Sequence, residues 1–239
     1  MVNLTHLRVL PSQLQWHIKL LLWGDRMAWG KIAGGGVLDD RSAQLVAKLI
    51  EKGVKVYDTF DRADSASIGT ADTGQIWTED VGDLQISGNL LKTTTVSSGQ
   101  AICSLESGLS NGRFSLTVNI GADLITRNVG VIFRMTDANN FWVARPSKTS
   151  GGAGSVQIVK CVSGVFTTVA NIAATVNANT EYTVMAVANN DIISLYFNGS
   201  LITEITDNFN AAATKAGVRF GTTGTPASLY ADKFSAEVL

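Results

Sequence analysis

From Val54 to the C-terminus, apolar residues fall on alternate positions in short runs rich in Val, Ile, Thr, Phe and Tyr, separated by Gly, Asn, Asp and Ser clusters. In Arg113 to Val118 the residues Phe114, Leu116 and Val118 take every second position. In Val129 to Met135, the alternation puts Val131, Phe133 and Met135 on one face and Ile132 and Arg134 on the other. A period of two predicts strands with one buried face and one partly wet face. The same reading covers Ser155 to Cys161, Val165 to Ile172, Tyr182 to Val187, Ile192 to Phe197, Leu201 to Ile205, Gly217 to Phe220 and Tyr230 to Val238. Asn198-Gly199, between two such runs, favours a two-residue hairpin because both residues tolerate positive φ. Asn189-Asn190 and Asp137 to Asn140 read as further turns. About a dozen short strands of this kind predict an all-β fold, two antiparallel sheets packed as a sandwich.

Residues 1 to 53 differ in texture and form a separate N-terminal segment. One helix is expected over Asp39 to Lys52, with Asp39 or Asp40 as its cap, an apolar stripe of Leu45, Leu49 and either Val46 or Ile50, and Gly53 as its stop. Gly34-Gly35-Gly36 would be a flexible joint before it. The segment holds both histidines, His6 and His17, and three of the five tryptophans, Trp16, Trp23 and Trp29. A piece this small cannot bury three indoles alone. They either pack on the sandwich or pair in a hairpin around Gly24-Asp25-Arg26, or they form an attachment interface with a partner chain, since aromatic residues dominate interface cores.

Composition narrows the functions. The chain has 239 residues, 45% of them hydrophobic, enough to bury a sizeable core, and its formal net charge of -1 argues against nucleic-acid binding, which needs a cationic excess. The run Ile18 to Trp23 is too short for a membrane span, is interrupted by Lys19, and lacks the pattern of a signal peptide. Cys103 and Cys161 lie in candidate strands and are expected as reduced core residues rather than a disulfide.

Asp58-Thr59-Phe60-Asp61-Arg62-Ala63-Asp64, Ile68 to Trp77 and Leu84 to Asn89 resemble the opening of concanavalin A-like, laminin G-like jelly-roll modules of bacteriophage tail and other virion proteins. Later counterparts are Val129 to Arg134 with Asn140-Phe141-Trp142, the strand pair around Asn198-Gly199, and the closing Tyr230 to Phe234. The resemblance covers residues 54 to 239. It implies a jelly-roll sandwich and, for the whole chain, a non-enzymatic structural protein of a phage particle, at the tail, baseplate or fibre, displaying a lectin-like module for adhesion to host-surface carbohydrate. A capsid decoration protein with an outward-facing sandwich is the alternative. Other virion proteins would be held through residues 1–53, and the expected assembly is a homo-oligomer, a trimer.

Chemistry within the sandwich is sparse. Glycoside hydrolysis needs paired carboxylates flanking the scissile bond. Glu204 and Asp207 are three apart, and Glu79, Asp80 and Asp83 are expected in a loop. Both histidines lie outside the sandwich, and Gly34-Gly35-Gly36 lacks the Lys and Ser or Thr of a phosphate-binding loop. Asp58, Asp61, Asp64 and Asp72 match no calcium-loop spacing and read as turn and strand-edge carboxylates, so no metal or other cofactor is expected. The sharper expectation is a sugar site. By alternation Arg134, Trp142 and Tyr196 point away from Phe133, Val143 and Phe197, and Arg219 points away from Val218 and Phe220. If their strands share a sheet, these four form an aromatic and guanidinium patch.

Overall fold

The computed structural model describes residues 48, 53–121, 127–149, 152, 154–222 and 228–239. The chain divides into two compact units, Met1–Gly53 and Val54–Leu239. Trp16, Trp23 and Trp29 lie outside the described residues, as does the expected helix apart from Lys48, which is helical and exposed.

The second unit is all-β. Its strands begin with β1 (Val54–Asp58), β2 (Thr78–Val81), β3 (Asp83–Ile86), β4 (Leu91–Thr95) and β5 (Gln100–Glu106). The long central strands follow: β6 (Gly112–Asn119), β7 (Arg127–Asp137), β8 (Asn140–Lys148), β9 (Gly154–Val162) and β10 (Val165–Ala173). The chain ends with β11 (Glu181–Asn189), β12 (Ile192–Phe197), β13 (Ser200–Thr206), β14 (Lys215–Thr222) and β15 (Tyr230–Glu237). One antiparallel sheet runs β13-β12-β11-β6-β15-β4-β3, with β1 also paired to β15. The other runs β10-β9-β8-β7-β14-β5-β2. The two pack as the jelly-roll sandwich that the alternation and the resemblance imply.

The inner faces supply the main core. Phe114 of β6 stacks on Phe133 of β7 across the two sheets at 5.7 Å between ring centroids, and Phe133 stacks on Trp142 of β8 at 6.4 Å. A second apolar cluster, Ile102, Ile132, Met135, Phe141, Val143, Val159 and Cys161, lies on the opposite face of the β7-containing sheet. Met135 therefore departs from the expected alternation with Phe133. Arg134 between them has φ of 48°, and the β7–β8 register shifts between Phe133 and Asp137. A bulge of this kind adds one residue to one strand and moves everything beyond it to the other face.

The segment from Phe60 to Trp77 is an architectural loop. β1 pairs with β15, Asp58 opposite Phe234. The buried Asp58 carboxylate then gathers the loop behind it, accepting from Arg62 Nη1 at 2.8 Å, Arg62 Nη2 at 3.0 Å, the Phe60 amide at 2.9 Å and Trp77 Nε1 at 2.6 Å. Burial pushes this carboxyl up, and its Arg62 partner pulls it back. The Trp77 ring sits 5.7 Å from Phe60 and 5.3 Å from Phe234, closing one end of the core. Asp72 binds the Thr59 amide and hydroxyl, and Asp64 the Gly88 amide. Among the described residues, no group of three or more His, Cys, Asp or Glu is placed to hold a metal ion.

Both cysteines are free and buried. Cys103 belongs to the core between the sheets and Cys161 to the cluster on the other face, so one sheet lies between them. Glu79, Asp80 and Asp83, expected in a loop, lie instead in the short strands β2 and β3.

Candidate functional site

The four-residue patch expected from alternation does not form. Trp142 is directly opposite Phe133 in the β7–β8 ladder, and cross-strand partners share a face. Its side chain is wholly buried in the main core, with Nε1 donating to the Phe209 carbonyl at 2.9 Å. Lys160 Nζ lies 5.3 Å from the Trp142 ring centroid and pairs with Asp207 at 2.6 Å, closing this edge of the core. Arg134 is also buried. From its bulge it donates to the Ser110 carbonyl, Asn111 Oδ1 and the Asn190 carbonyl, tying two loops together. Tyr196 lies on β12 in the other sheet, opposite Met185 and beside Leu201. Only Arg219 belongs to a constellation with ligand-binding chemistry, and its companions are different residues.

That constellation lies on the outward face of the β10-β9-β8-β7-β14-β5-β2 sheet. Arg219 on β14 pairs in register with Ile102 of β5 and Gly130 of β7. The β7–β8 register, Val131 opposite Ala144 and Asn128 opposite Ser147, sets Gly130 opposite Arg145. Arg145 is opposite Gln157 of β9, which is opposite Asn171 of β10. One cross-strand row thus runs Ile102, Arg219, Gly130, Arg145, Gln157, Asn171. Its outward orientation follows from alternation, because Val218 and Phe220 on either side of Arg219 are in the main core.

The face is concave. Three strands separate β14 from β10, roughly 19 Å of sheet at ordinary strand spacing. That is farther than the two side chains span across a flat sheet, yet Arg219 Cζ lies 4.6 Å from the Phe166 ring centroid. The Phe166 ring also packs edge-on against Phe141 at 5.9 Å and stays 39% exposed, an aromatic surface at the rim of the trough.

Within the trough the planar polar groups form a continuous network. Asn128 Oδ1 accepts from Arg145 Nη1 at 2.9 Å and from Arg219 Nη1 at 2.7 Å. Gln100 Oε1 accepts from Arg219 Nε at 3.0 Å, and Gln157 Oε1 from Arg145 Nε at 3.0 Å. Gln157 Nε2 continues the chain to Asn171 Oδ1 at 3.1 Å and Ser155 Oγ at 3.2 Å. Two glycines make room for it. A Cβ on Gly130 would stand 2.6 Å from Arg145 Cβ, and one on Gly221 would collide with the Asn128 carboxamide and the Arg219 guanidinium. Burial pushes the Arg145 guanidinium down; burial first, and then the Arg145 charge, pushes Arg219 down.

Asn128, Gly130, Arg145 and Gln157 are not singled out by the sequence. Each sits in a run with its own alternation, and nothing in one run states its register with the next. The one local signal is Val143-Ala144-Arg145, where period two places an arginine on the same face as Val143.

No protein-family model matches the chain, and no curated protein matches it. Among solved structures the fold is similar to the carbohydrate binding module CBM66 from Bacillus subtilis, at 16% identity and a TM-score of 0.51 over 66% of this chain and 91% of that one. It is similar to the laminarinase from Rhodothermus marinus, at 12% identity and a TM-score of 0.54, covering 77% and 97% of the two chains. The β-glucanase of Bacillus licheniformis matches at 11% identity and a TM-score of 0.50, over 78% and 99%. These likenesses establish the architecture: the second unit is a concanavalin A-like jelly roll.

Proposed function

We propose that this chain is a non-enzymatic carbohydrate-binding protein whose concave face, built by β14, β7, β8, β9 and β10, is the glycan surface. The carrying observation is the row of planar hydrogen-bonding groups, Arg219, Asn128, Arg145, Gln157 and Asn171, beside the exposed ring of Phe166. Sugars present apolar C–H faces and in-plane hydroxyl pairs, which an aromatic ring and carboxamide or guanidinium edges match. The centre of this row carries two guanidiniums where glycoside hydrolysis requires two carboxylates.

Residues 1–53 serve in this reading as the attachment segment, with Trp16, Trp23 and Trp29 its interface. The setting is the surface of a bacteriophage particle, where repeated copies in a homo-oligomer, a trimer, give avidity to individually weak glycan contacts. That setting is supported by the sequence resemblance of residues 54 to 239, and the glycan surface by the geometry of the trough.

Affinity electrophoresis of the full chain through gels containing a panel of polysaccharides tests the glycan reading. At least one polymer should retard the protein. Phe166→Ala and Gln157→Ala should each weaken retardation by roughly tenfold, the worth of about one hydrogen-bonded or stacked contact, with little change in melting temperature. Retardation unchanged in both variants would move the glycan surface elsewhere, and release of reducing sugar from the polymer would make the protein an enzyme.

A further inference from the structure

Arg145 and Arg219 form a like-charge pair that meets no carboxylate among the described residues. Both donate to the one Asn128 Oδ1, a neutral acceptor, and their other hydrogen-bond partners are the neutral Gln100 and Gln157. Among the described residues neither has an Asp or Glu as a hydrogen-bond or ion-pair partner. Arg219 is only 7% exposed, and Arg145 is partly buried at the same centre. A buried charge that meets only neutral acceptors and, for Arg219, the face of Phe166 is still costly beside a like charge, and arginine stays protonated at physiological pH, so it does not escape by losing its proton. Elsewhere in the sandwich Arg62 meets the Asp58 carboxylate and Lys160 meets Asp207, while the buried Arg134 is held by the Ser110 and Asn190 carbonyls and the Asn111 side-chain amide as a lone cation rather than as one of a like-charge pair. Gly221 leaves room for the Arg219 guanidinium, which a Cβ there would meet at 2.5 Å, and Gly130 leaves room for the base of the Arg145 side chain.

We infer that the trough selects acidic glycans, with a sugar carboxylate or sulfate as the missing counter-ion of Arg145 and Arg219. The inference rests on the reading of the concave face as a glycan surface and adds the chemical class of its ligand. A carboxylate or sulfate offers two in-plane oxygens to guanidinium forks, the geometry in which such charge-assisted bonds are strongest. The formal net charge of -1 gives the chain as a whole no cationic excess, and the Arg145→Gln comparison separates the trough from any local cationic attraction.

The test compares polymers that share a backbone and differ in charge: polygalacturonate with its fully methyl-esterified form, and dextran sulfate with dextran. Full-length protein is run in affinity electrophoresis at low salt on all four. The acidic member of at least one pair should bind roughly tenfold or more tightly than its neutral partner, the worth of one charge-assisted pair, and the preference should fade as salt is raised. A carboxylate preference and a sulfate preference separate the two sources of the anion. Arg145→Gln should abolish the preference while the protein still melts cooperatively. Arg113→Gln, at an exposed arginine that donates to the Val238 carbonyl on the other sheet, should leave it intact. Equal binding to both members of each pair would overturn acidic selection and leave the glycan surface standing. Retardation by none of these polymers, with a melting temperature raised by sodium sulfate alone, would mean an adventitious ion only and overturn the inference. Retention of the preference in Arg145→Gln would overturn it as well.

Discussion

Trp142 shows how the same residue reads differently in one strand and in two. By alternation with Phe141 and Val143 it passes for a surface platform. Its register opposite Phe133 makes it a core residue, with its indole N–H satisfied by the Phe209 carbonyl. Trp142→Ala should therefore destabilise the fold by about 3–5 kcal/mol, the range for truncating a large buried aromatic side chain. Denaturant unfolding checks this, and a loss below 1 kcal/mol would place the ring at the surface. The cysteines make a second prediction of the same kind. With Cys103 and Cys161 buried and on opposite faces of one sheet, neither should be alkylated in the native protein, and both should be alkylated on unfolding without reductant. A requirement for reductant would contradict the placement.

Strands and their connections set how much of the fold is legible in the sequence. β6, β11 and β12 were readable because one face alternates cleanly, and the Asn198-Gly199 turn adopts the two positive φ angles that the dipeptide favours. β5 shows no period of two, because Ala101 to Leu105 is buried on both faces. The bulge at Arg134 gives no sequence signal, and alternation alone therefore assigns Met135 to the wrong face. The trough was hidden for a different reason: Arg219 was visible, but its neighbours Arg145 and Asn128 reach it through register across β7 and β8. The edge where β9 meets the loop after β13 makes a pH prediction. Burial acts to raise the Asp207 carboxyl, but the hydrogen bond from Lys160, the Phe209 amide and the charges of Lys160 and Arg134 outweigh it, leaving it below the usual range. A carboxyl lowered on folding stabilises the protein above its unfolded pKa, and that contribution is lost as pH falls through its folded value. Asp207→Asn should thus flatten the decline in stability below about pH 4, as followed by acid titration of the melting temperature. A decline as steep as in the unsubstituted protein would show that the Lys160 contact contributes nothing.

The two units of the chain divide the proposed work, one attaching and one binding. Deletion of residues 1–53 should leave residues 54–239 melting cooperatively and still retarded by the same polysaccharide, because the sandwich has its own core and the trough draws only on β5, β7, β8, β9, β10 and β14. Loss of cooperative melting would make the first unit part of the core. The function proposed for the sandwich depends on which of its surfaces meets sugar. Its most direct test is chemical-shift mapping of the full chain titrated with an oligosaccharide of the polymer that retards it most strongly. Shifts should centre on Asn128, Arg145, Gln157, Phe166 and Arg219; shifts centred on Tyr196 and the outer face of the other sheet would rule out the trough as the glycan surface.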